Sequence, residues 1–528
     1  MSAGAGLWKV GVLTSVCRAP IGQNRFRPPL PFANGTSLGT VRTDGWIGAT
    51  CPQNILSTDF AQGLPQAALA RVLQTPLFQA GFGISEDCLW LNVYRPSGID
   101  ASAKLPVLFW MHGGGFTMGF NFPEEGVPFA SDSIAKGKPI VVVTATYRSG
   151  TWGFLAGKEV SDAGVGNLGL QDQRRAMEWV ADNIEAFGGD PDKVTIWGES
   201  AGAISVFQHL VMYDGDHTYK GKPLFRAGIM NSGSIVPVDP VDCPKGQKVF
   251  DTISSAAGCD GAADRLQCLR DTPLQTLLEA STLVPTFTGY DSIALSFIPR
   301  PDGVVLTKSP EILLKEGKFA RVPVIIGDEE DEGTLWSQTQ FNLTTKEDVA
   351  EYLNIKFFHH ATRDQMNEFV NTYQTITEDG SPFRTGLLNN WYPQYKRVAA
   401  ILGDLAFTLS RRYFLVERNK AAPALEAWSY MNSYFYGLPI IGTIHGSDIF
   451  HVLWGVPYDQ ATDTIRRYYL SFITHMDPNV DNDRPEWPTW ESSNQLLWMF
   501  ATSQTLRTDD FRQDSYEWIA SHVPELTM

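Results

Sequence analysis

Strand-like and helix-like segments alternate from about residue 86 to about residue 230, and this alternation limits the fold more than any other feature of the sequence. Pro139–Tyr147 is rich in β-branched residues and is typical of a buried parallel strand. Leu170–Phe187, which follows, carries apolar residues at helical spacing. Because such alternation produces sheets covered by helices on both faces, the sequence predicts an α/β fold with a mostly parallel central sheet.

Further segments fit the same pattern, which becomes looser beyond about residue 235. The other predicted strands are Leu89–Tyr94, Leu105–Met111, Lys193–Trp197, Ala227–Met230 and Val322–Ile326. The other predicted helices are Ala203–Leu210, Asp404–Val416 and Phe511–Ile519. Since the sequence has no internal repeat, low-complexity tract or Pro/Ser-rich linker, we expect one catalytic domain over residues 1–528.

Composition excludes several classes of protein. Of the 528 residues, 43% are hydrophobic and 19% charged, which excludes a mostly disordered chain. The net charge of −16 argues against nucleic acid or an anionic membrane surface as a partner. No apolar run approaches the ~20 residues that span a bilayer, so no transmembrane segment is predicted. The N-terminus lacks a basic start and a sustained apolar region, so no signal peptide is predicted either.

The cysteines do not define a metal site. Their spacing contains no CxxC pair, so a zinc site is not expected, and spacing alone does not choose among the many pairings. The six cysteines are Cys17, Cys51, Cys88, Cys243, Cys259 and Cys268.

The segment Gly198-Glu199-Ser200-Ala201-Gly202 stands between a predicted strand and a predicted helix. A sharp turn from strand to helix strains the serine and requires small flanking residues. The hydroxyl is then exposed at the top of the sheet, beside a helix N-terminus that favours negative charge. We interpret Ser200 as a candidate nucleophile, with an ordinary glycine-rich turn as the alternative.

The run His112-Gly113-Gly114-Gly115-Phe116 follows another predicted strand. Acyl transfer builds negative charge on a carbonyl oxygen, and backbone N–H groups stabilise it where no side chain blocks their approach. Both glycine clusters stand at the carboxyl ends of strands, where such sheets bind ligands. The pair therefore indicates an oxyanion hole, although a glycine run on its own could be a flexible loop.

A nucleophilic serine needs a general base and an acid that orients the base. In this fold class the chain order is serine, acid, histidine. His445 is favoured as the base because it lies in a loop of small residues, and His451 is its nearest competitor. The histidines far enough beyond Ser200 are His359, His360, His445, His451, His475 and His522.

Five adjacent carboxylates, residues 328–332, follow the predicted strand Val322–Ile326. An acid at that place is well positioned to orient the base, but the pattern does not say which of the five it is. The other four are expected to be solvated.

Together these residues resemble the type-B carboxylesterase/lipase family of α/β-hydrolases, which includes cholinesterases and large fungal lipases. The resemblance extends from about Arg25 to about Trp490. Its matching segments are Arg25–Pro29, Ser85–Val93, His112–Phe116, Asn167–Gln173, Phe187–Pro191, Gly198–Gly202, Asp331–Gly333, the His445 loop and Trp487-Pro488.

The resemblance implies a role for individual residues. It makes Ser200 the nucleophile, Glu332 the orienting acid and His445 the base. It implies that the N–H groups of Gly114, Gly115 and Ala201 form the oxyanion hole, and that Glu199 and Ser232 are polar neighbours of the triad.

The resemblance also implies two disulfides, a lid and secretion. The disulfides would be Cys51–Cys88 and Cys259–Cys268, with Cys17 and Cys243 left over. Residues 51–88 look like the lid of fungal lipases, with an amphipathic helix over Leu64–Leu73 for which a fixed surface helix is the alternative. Most relatives are secreted and disulfides indicate an oxidising compartment, so we expect an extracellular protein although no signal peptide is recognised.

The sequence therefore predicts a serine hydrolase that cleaves carboxylic esters through an acyl-enzyme, without a cofactor or a metal. Its partner is a small-molecule or lipid ester, with transient contact at a lipid interface if the enzyme is a lipase. Carboxylesterase and lipase both stay open. A non-catalytic, cholinesterase-like binding or adhesion module is the alternative, and it is disfavoured because all three triad positions are filled.

Overall fold

The structure, a computed structural model, describes residues 12–15, 17, 20–30, 48–54, 83–119, 125–481 and 483–528. Its described strands are β1 (Val12–Ser15), β2 (Trp90–Tyr94), β3 (Leu105–Met111), β4 (Val141–Ala145), β5 (Gly189–Glu199), β6 (Thr218–Tyr219), β7 (Lys222–Pro223), β8 (Ala227–Asn231), β9 (Val324–Glu329), β10 (Ala427–Asn432), β11 (Gln495–Phe500) and β12 (Ser503–Thr508).

The described α-helices are α1 (Val127–Ala135), α2 (Gly150–Phe154), α3 (Lys158–Asp162), α4 (Leu168–Asn183), α5 (Ala201–Val211), α6 (Pro244–Ala256), α7 (Arg265–Asp271), α8 (Leu274–Ser281), α9 (Pro310–Lys315), α10 (Lys346–Lys356), α11 (Arg363–Asn371), α12 (Tyr395–Gly403), α13 (Leu409–Ala421), α14 (Asp448–Val452), α15 (Gln460–His475), α16 (Trp490–Ser493) and α17 (Gln513–Ser521). A π-helical turn covers Asp404–Thr408. No helix in the described part of the chain has both the length and the apolar character needed to cross a membrane.

Ten of the strands form one sheet in the order β1-β2-β4-β3-β5-β8-β9-β10-β11-β12. All neighbours from β4 to β11 are parallel. The pairs towards the two edges, β1–β2, β2–β4 and β11–β12, are antiparallel. The predicted α/β fold with a mostly parallel central sheet is therefore confirmed.

The side chains of β3 show how the sheet separates two cores. Val107, Phe109 and Met111 belong to one hydrophobic cluster, which also contains Ala176, Met177 and Val180 of α4. Leu108 and Trp110 belong to a second cluster, to which α15 contributes Tyr468 and Phe472. Because successive residues of a strand point to opposite faces, a strand that is buried on both faces reads as a continuous apolar run.

Predicted and observed boundaries agree best for these central strands. β3 covers the predicted Leu105–Met111, and α4 starts two residues before the predicted helix and gives way to a 3₁₀ turn that ends at Phe187. Gly188 caps this turn, and β5 begins directly after it at Gly189.

Two later predictions are corrected in detail. The strand predicted at Val322–Ile326 is β9, Val324–Glu329, so the first two acids of the carboxylate run belong to the strand. The helix predicted at Asp404–Val416 is a π-helical turn that continues into α13. The Ser410 hydroxyl donates to the carbonyl oxygen of Leu405, five residues earlier, which matches this wide turn.

The structure contains both of the disulfides that the family resemblance implies. They are Cys51–Cys88 and Cys259–Cys268, and the buried Cys17 and Cys243 stay outside them. Most of the segment interpreted as a lid, including the helix predicted over Leu64–Leu73, lies outside the described residues.

A buried ionic network ties β9 to the segment after β12. Arg411 donates to Asp328 Oδ2 at 2.8 Å and to both oxygens of Asp509 at 2.7 and 2.9 Å. Arg412 and Trp490 also donate to Asp509, each at 3.0 Å. Although burial raises the pKa of Asp509, the two arginines hold it well below its usual range.

We expect Asp509→Asn to lower the free energy of unfolding by about 3–5 kcal/mol, because it leaves two buried guanidinium groups short of a counter-charge. Urea titration followed by circular dichroism measures this change. Asp510→Asn removes the same charge from the exposed neighbour and serves as the control. Equal stability of the two variants would contradict the prediction.

Candidate active site

Ser200 lies in the turn between β5 and α5. Its backbone, with φ 56° and ψ −125°, is in a region that costs an L-residue of order 1–3 kcal/mol. A Cβ on Gly202 would stand 2.1 Å from the carbonyl oxygen of Met111, and a Cβ on Gly198 would stand 2.3 Å from Gly202 backbone atoms. Backbone contact therefore requires both glycines of the GxSxG motif and holds Ser200 at the carboxyl end of β5.

His445 and Glu332 come from the loops after β10 and β9, and the structure brings them together. The His445 Nδ1–H donates to Glu332 Oε2 at 2.5 Å. Glu332 Oε1 accepts the backbone N–H of Glu329 at 2.8 Å. The rings of Trp336 and Phe407 flank the imidazole, with centroids 5.2 and 4.6 Å from its own. The buried ring is therefore held in one orientation.

The other nitrogen of His445 faces the serine turn. His445 Nε2 lies 3.2 Å from Glu199 Oε1 and makes no hydrogen bond to the described residues. A Cβ on Gly113 would lie 2.5 Å from Glu199 Oε2 and 3.0 Å from the Cβ of Ser200, so the loop after β3 contacts the same turn. Loops that follow β3, β5, β9 and β10 thus converge at one place.

The other candidate histidines have different neighbours. The His451 ring packs on Tyr434, with centroids 3.7 Å apart, and the His522 ring stacks on Trp518. His475 lies 3.4 Å from Asp481, and His359 and His360 lie 3.1 and 2.9 Å from Asp239. Within the described residues, His445 is the histidine that hydrogen-bonds Glu332.

The expectation that four of the five adjacent acids are solvated is wrong, because all five side chains are buried. The strand extends to Glu329 and the chain then turns beneath the His445 loop, so each carboxylate finds an internal partner. Asp328 accepts from Arg411, Glu329 from Asn432 and Ser447, Glu330 from Arg384, and Asp331 from Ser381 and the backbone N–H of Thr443.

Burial and neighbouring charges move the pKa values of the site groups. Burial raises the pKa of Glu199 to about 7. Burial lowers the pKa of His445, but the charges of Glu332 and Glu199 outweigh it and bring the value to about 9. The environment of His445 therefore favours the imidazolium form.

Asp448 and Asn231 belong to the site, although the sequence alone did not identify them. Asp448 Oδ2 accepts from Asn231 Nδ2 at 2.7 Å and from the Tyr430 hydroxyl at 2.6 Å. The backbone carbonyl oxygen of Asn231 accepts a hydrogen bond from the backbone N–H of Ser200 at 2.9 Å. Asn231 therefore links the serine turn to the histidine loop. Their positions in the sequence could have identified them, because Asn231 is the last residue of β8 and Asp448 follows His445 by three residues.

Ser232, expected as a polar neighbour of the triad, is fully buried beside Asn231. Its N–H donates to the carbonyl oxygen of Gly327 at 2.8 Å. Its hydroxyl has no hydrogen-bond partner among the described residues.

The glycine loop after β3 presents backbone N–H groups. Gly114 has φ 107°, and a Cβ there would stand 2.3 Å from the carbonyl oxygen of Met118, so the position requires glycine. The Tyr147 hydroxyl donates to the His112 carbonyl oxygen at 2.8 Å and fixes the start of the loop. The N–H groups of Gly114 and Gly115 donate to no described acceptor, and that of Ala201 lies in the first turn of α5, which lacks intrahelical acceptors.

An apolar cavity of about 910 Å³, counted with its open mouth, begins at Ser200. Gly115 and Ala201 line the cavity together with the serine. The rest of the lining is mainly aliphatic and aromatic, and includes Ile204, Ile235, Val236, Phe287, Trp336, Phe357, Phe407, Val523, Leu526 and Met528. Because such walls offer few hydrogen bonds, they favour an apolar ligand over a polar one.

The mostly parallel sheet and the serine in its strand-to-helix turn define an α/β-hydrolase. Residues 17–518 match the carboxylesterase family. The chain belongs to the carboxylesterase family and is a carboxylic ester hydrolase.

Individual relatives agree with this assignment. The chain is 51% identical to "Secreted lipase 1" of Botryotinia fuckeliana, over 96% of this chain and 88% of that protein. It is 46% identical to a "Secreted triacylglycerol lipase" of Gibberella zeae, over 96% and 86% of the two chains. The crystal structure of Aspergillus niger EstA is similar with a TM-score of 0.78 and 28% identity, covering 98% of this chain and 95% of EstA. These relatives support an enzyme rather than a non-catalytic binding module.

Proposed function

We propose that this ester hydrolase is a secreted lipase, and that Ser200, His445 and Glu332 are its catalytic triad. The observation that carries the lipase proposal is the apolar cavity that begins at Ser200. A long acyl chain bound there would lose contact with water along its length, which is favourable by about 0.8 kcal/mol per buried CH₂.

In the proposed reaction His445 Nε2 takes the proton of Ser200 as its oxygen attacks the ester carbonyl. The imidazolium that forms stands between Glu332 and Glu199, whose charges stabilise it. It then gives the proton to the departing alcohol. Water, activated by the same base, attacks the acyl-enzyme, and the fatty acid leaves with Ser200 restored.

Negative charge develops on the carbonyl oxygen in both steps. The N–H groups of Gly114, Gly115 and Ala201 are suited to receive it, because they are not engaged by the described protein acceptors. The N-terminus of α5 adds a favourable dipole at the same point.

An exposed apolar patch supports transient contact with a lipid interface. Leu387 and Leu388 are 72% and 73% exposed, and Trp391 and Phe341 are about half exposed. The rings of Phe341 and Trp391 are in contact, with centroids 5.7 Å apart. Clustered exposed apolar side chains of this kind are typical of interaction surfaces.

Secretion and a single catalytic domain are further parts of the proposal. The relatives named as secreted lipases and the two disulfides support an extracellular enzyme. The family match over residues 17–518 supports one catalytic domain. So does the main hydrophobic core, which includes both Cys17 and Val523.

Ser200→Ala should lower kcat for a p-nitrophenyl ester by at least about 10⁴-fold, because the nucleophile is lost while the fold is kept. Labelling by a fluorophosphonate should disappear in parallel. Ser234→Ala, which removes a buried hydroxyl with no partner in the described structure, is the matched control. Activity retained in Ser200→Ala would refute the triad.

Glu199→Gln should move the acid limb of kcat/KM to lower pH. The negative charge of Glu199 raises the pKa of His445, and the base is active only when neutral, so removing that charge lets it act at lower pH. Glu185→Gln removes a charge from an exposed position and should leave the limb in place. A limb that stays or moves upward in Glu199→Gln would contradict the proposed effect of the Glu199 charge on the pKa of His445.

The acyl-length profile tests the lipase proposal. Wild-type enzyme should prefer long-chain over short-chain p-nitrophenyl esters. Ala406→Trp, at a half-buried position of the cavity wall, should lower kcat/KM for the long esters by about 10-fold or more through steric exclusion. Hydrolysis of the acetate ester is the internal control for folding. A wild-type preference for short or bulky soluble esters would favour a carboxylesterase instead.

A further inference from the structure

Outside the triad, Asp239, His359 and His360 bring three potential metal ligands together. Their ligating atoms all lie within 4.8 Å of one another. His360 Nε2 is 2.9 and 3.1 Å from the two oxygens of Asp239, and His359 Nε2 is 3.1 Å from Oδ2. The two histidines are adjacent in sequence, yet both direct Nε2 at one carboxylate.

The turn that carries the two histidines is held firmly. It joins α10 to α11, and Asn354 Nδ2 donates to the carbonyl oxygens of Phe358 and Ala361 at 3.2 and 2.7 Å. Thr362 and Gln365 then close a capping box at the start of α11. A ligand set on such a turn loses little conformational freedom when it binds an ion.

Asp239 is fixed from a different part of the chain. Its N–H donates to the carbonyl oxygen of Met528 at 3.3 Å, and its own carbonyl oxygen accepts from Arg300 at 3.1 Å. The side chain of Asp239 is 13% exposed, while His359 and His360 are 39% and 49% exposed. The carboxylate is thus shielded from solvent, whereas an ion can reach the site from solvent past the exposed imidazoles.

Two imidazole nitrogens and one carboxylate oxygen are a ligand set for Zn²⁺ and neighbouring transition-metal ions, with a remaining position for water. Ca²⁺ and Mg²⁺ prefer oxygen ligands throughout. With zinc–ligand bonds of about 2.0–2.1 Å, tetrahedral ligands stand about 3.3 Å apart. The observed separations from Asp239 are close to this, and all three ligating atoms lie within 4.8 Å of one another.

Two cationic side chains lie in the same region. Arg300 is engaged with the carbonyl oxygens of Asp239 and Met528 rather than with the carboxylate. The Lys245 ammonium group makes no hydrogen bond to the described residues, so it does not bind the carboxylate of Asp239 either.

The site connects two chain segments that line the apolar cavity. Val236 and Pro237, just before Asp239, belong to the lining, and so do Phe357 and Phe358, just before His359. We propose that Asp239, His359 and His360 bind one Zn²⁺-type ion, which bridges these two segments and stabilises the cavity. No step of ester hydrolysis depends on this ion, so the proposal stands apart from the assignment of the triad.

Calorimetric titration of the untagged, EDTA-treated full chain with ZnCl₂ tests the site directly. Wild-type protein should bind one Zn²⁺ per chain, and His359→Ala/His360→Ala should weaken binding by at least about 10-fold, the lower end of the loss caused by removing even an outer-shell partner. His475→Ala, which removes a histidine that faces the single acid Asp481, is the matched control. Absence of binding to wild type, or equal binding to the double variant, would overturn the proposal.

Hydrogen exchange tests the bridge. At free Zn²⁺ about 100 times Kd, the folded state should be favoured about 100-fold more over the unfolded state. Amide exchange should then slow in both segments, 235–239 and 357–361, in wild type and in neither segment of the double variant. Protection confined to the histidine turn would overturn the bridging role. Because both histidines are exposed, the double variant should fold normally. Retained esterase activity verifies this.

Discussion

The contact between the Ser200 turn and the end of β3 is the constraint on which the rest of the site depends. In the parallel register Met111 stands opposite Gly198, and its carbonyl oxygen occupies the space that a side chain at Gly202 would need. The turn therefore rests directly on the strand that leads into the glycine loop. One backbone contact fixes the serine and the N–H groups of that loop relative to each other, without relying on side-chain rotamers.

The charges of the site follow from the same convergence of strand ends. Glu332, Glu329 and Asp448 lie buried in the region of His445, and a buried carboxylate is costly unless it is hydrogen-bonded. Glu199 lies there too, with 13% of its side chain exposed. Asparagine, tyrosine and serine side chains and backbone N–H groups supply those bonds. The carboxylates are held in place before substrate arrives, so an imidazolium that develops on His445 would find Glu332 and Glu199 already beside it.

The sequence was most informative where burial is complete on both sides of a strand. β3 carries an uninterrupted apolar run, and β4 carries one that is broken only by Thr144. The GxSxG and glycine-loop motifs are local patterns whose geometry follows from backbone sterics. The strands β10, β11 and β12 escaped prediction, since β10 mixes polar and apolar residues and the edge strand β12 is largely exposed.

The carboxylate run, residues 328–332, shows why the sequence did not predict the rest of the site. Whether an acid is solvated depends on partners such as Arg411 and Arg384, which lie more than 50 residues away in the chain. The local sequence pattern does not indicate which distant residues will form such pairs. Family resemblance pointed to Glu332 because it encodes long-range position, whereas Asp448 and Asn231 act through contacts that no short motif describes.

The cavity wall has a consequence for the order of events during synthesis. Ile519, Val523 and Leu526 line the same space as Ser200, although more than 300 residues separate them from it in the chain. A ribosome makes the serine turn long before it makes this wall. A nascent chain that has not passed residue 526 could assemble the sheet but would lack part of the lining of this cavity. The complete cavity therefore forms only when nearly all of the sequence has been translated.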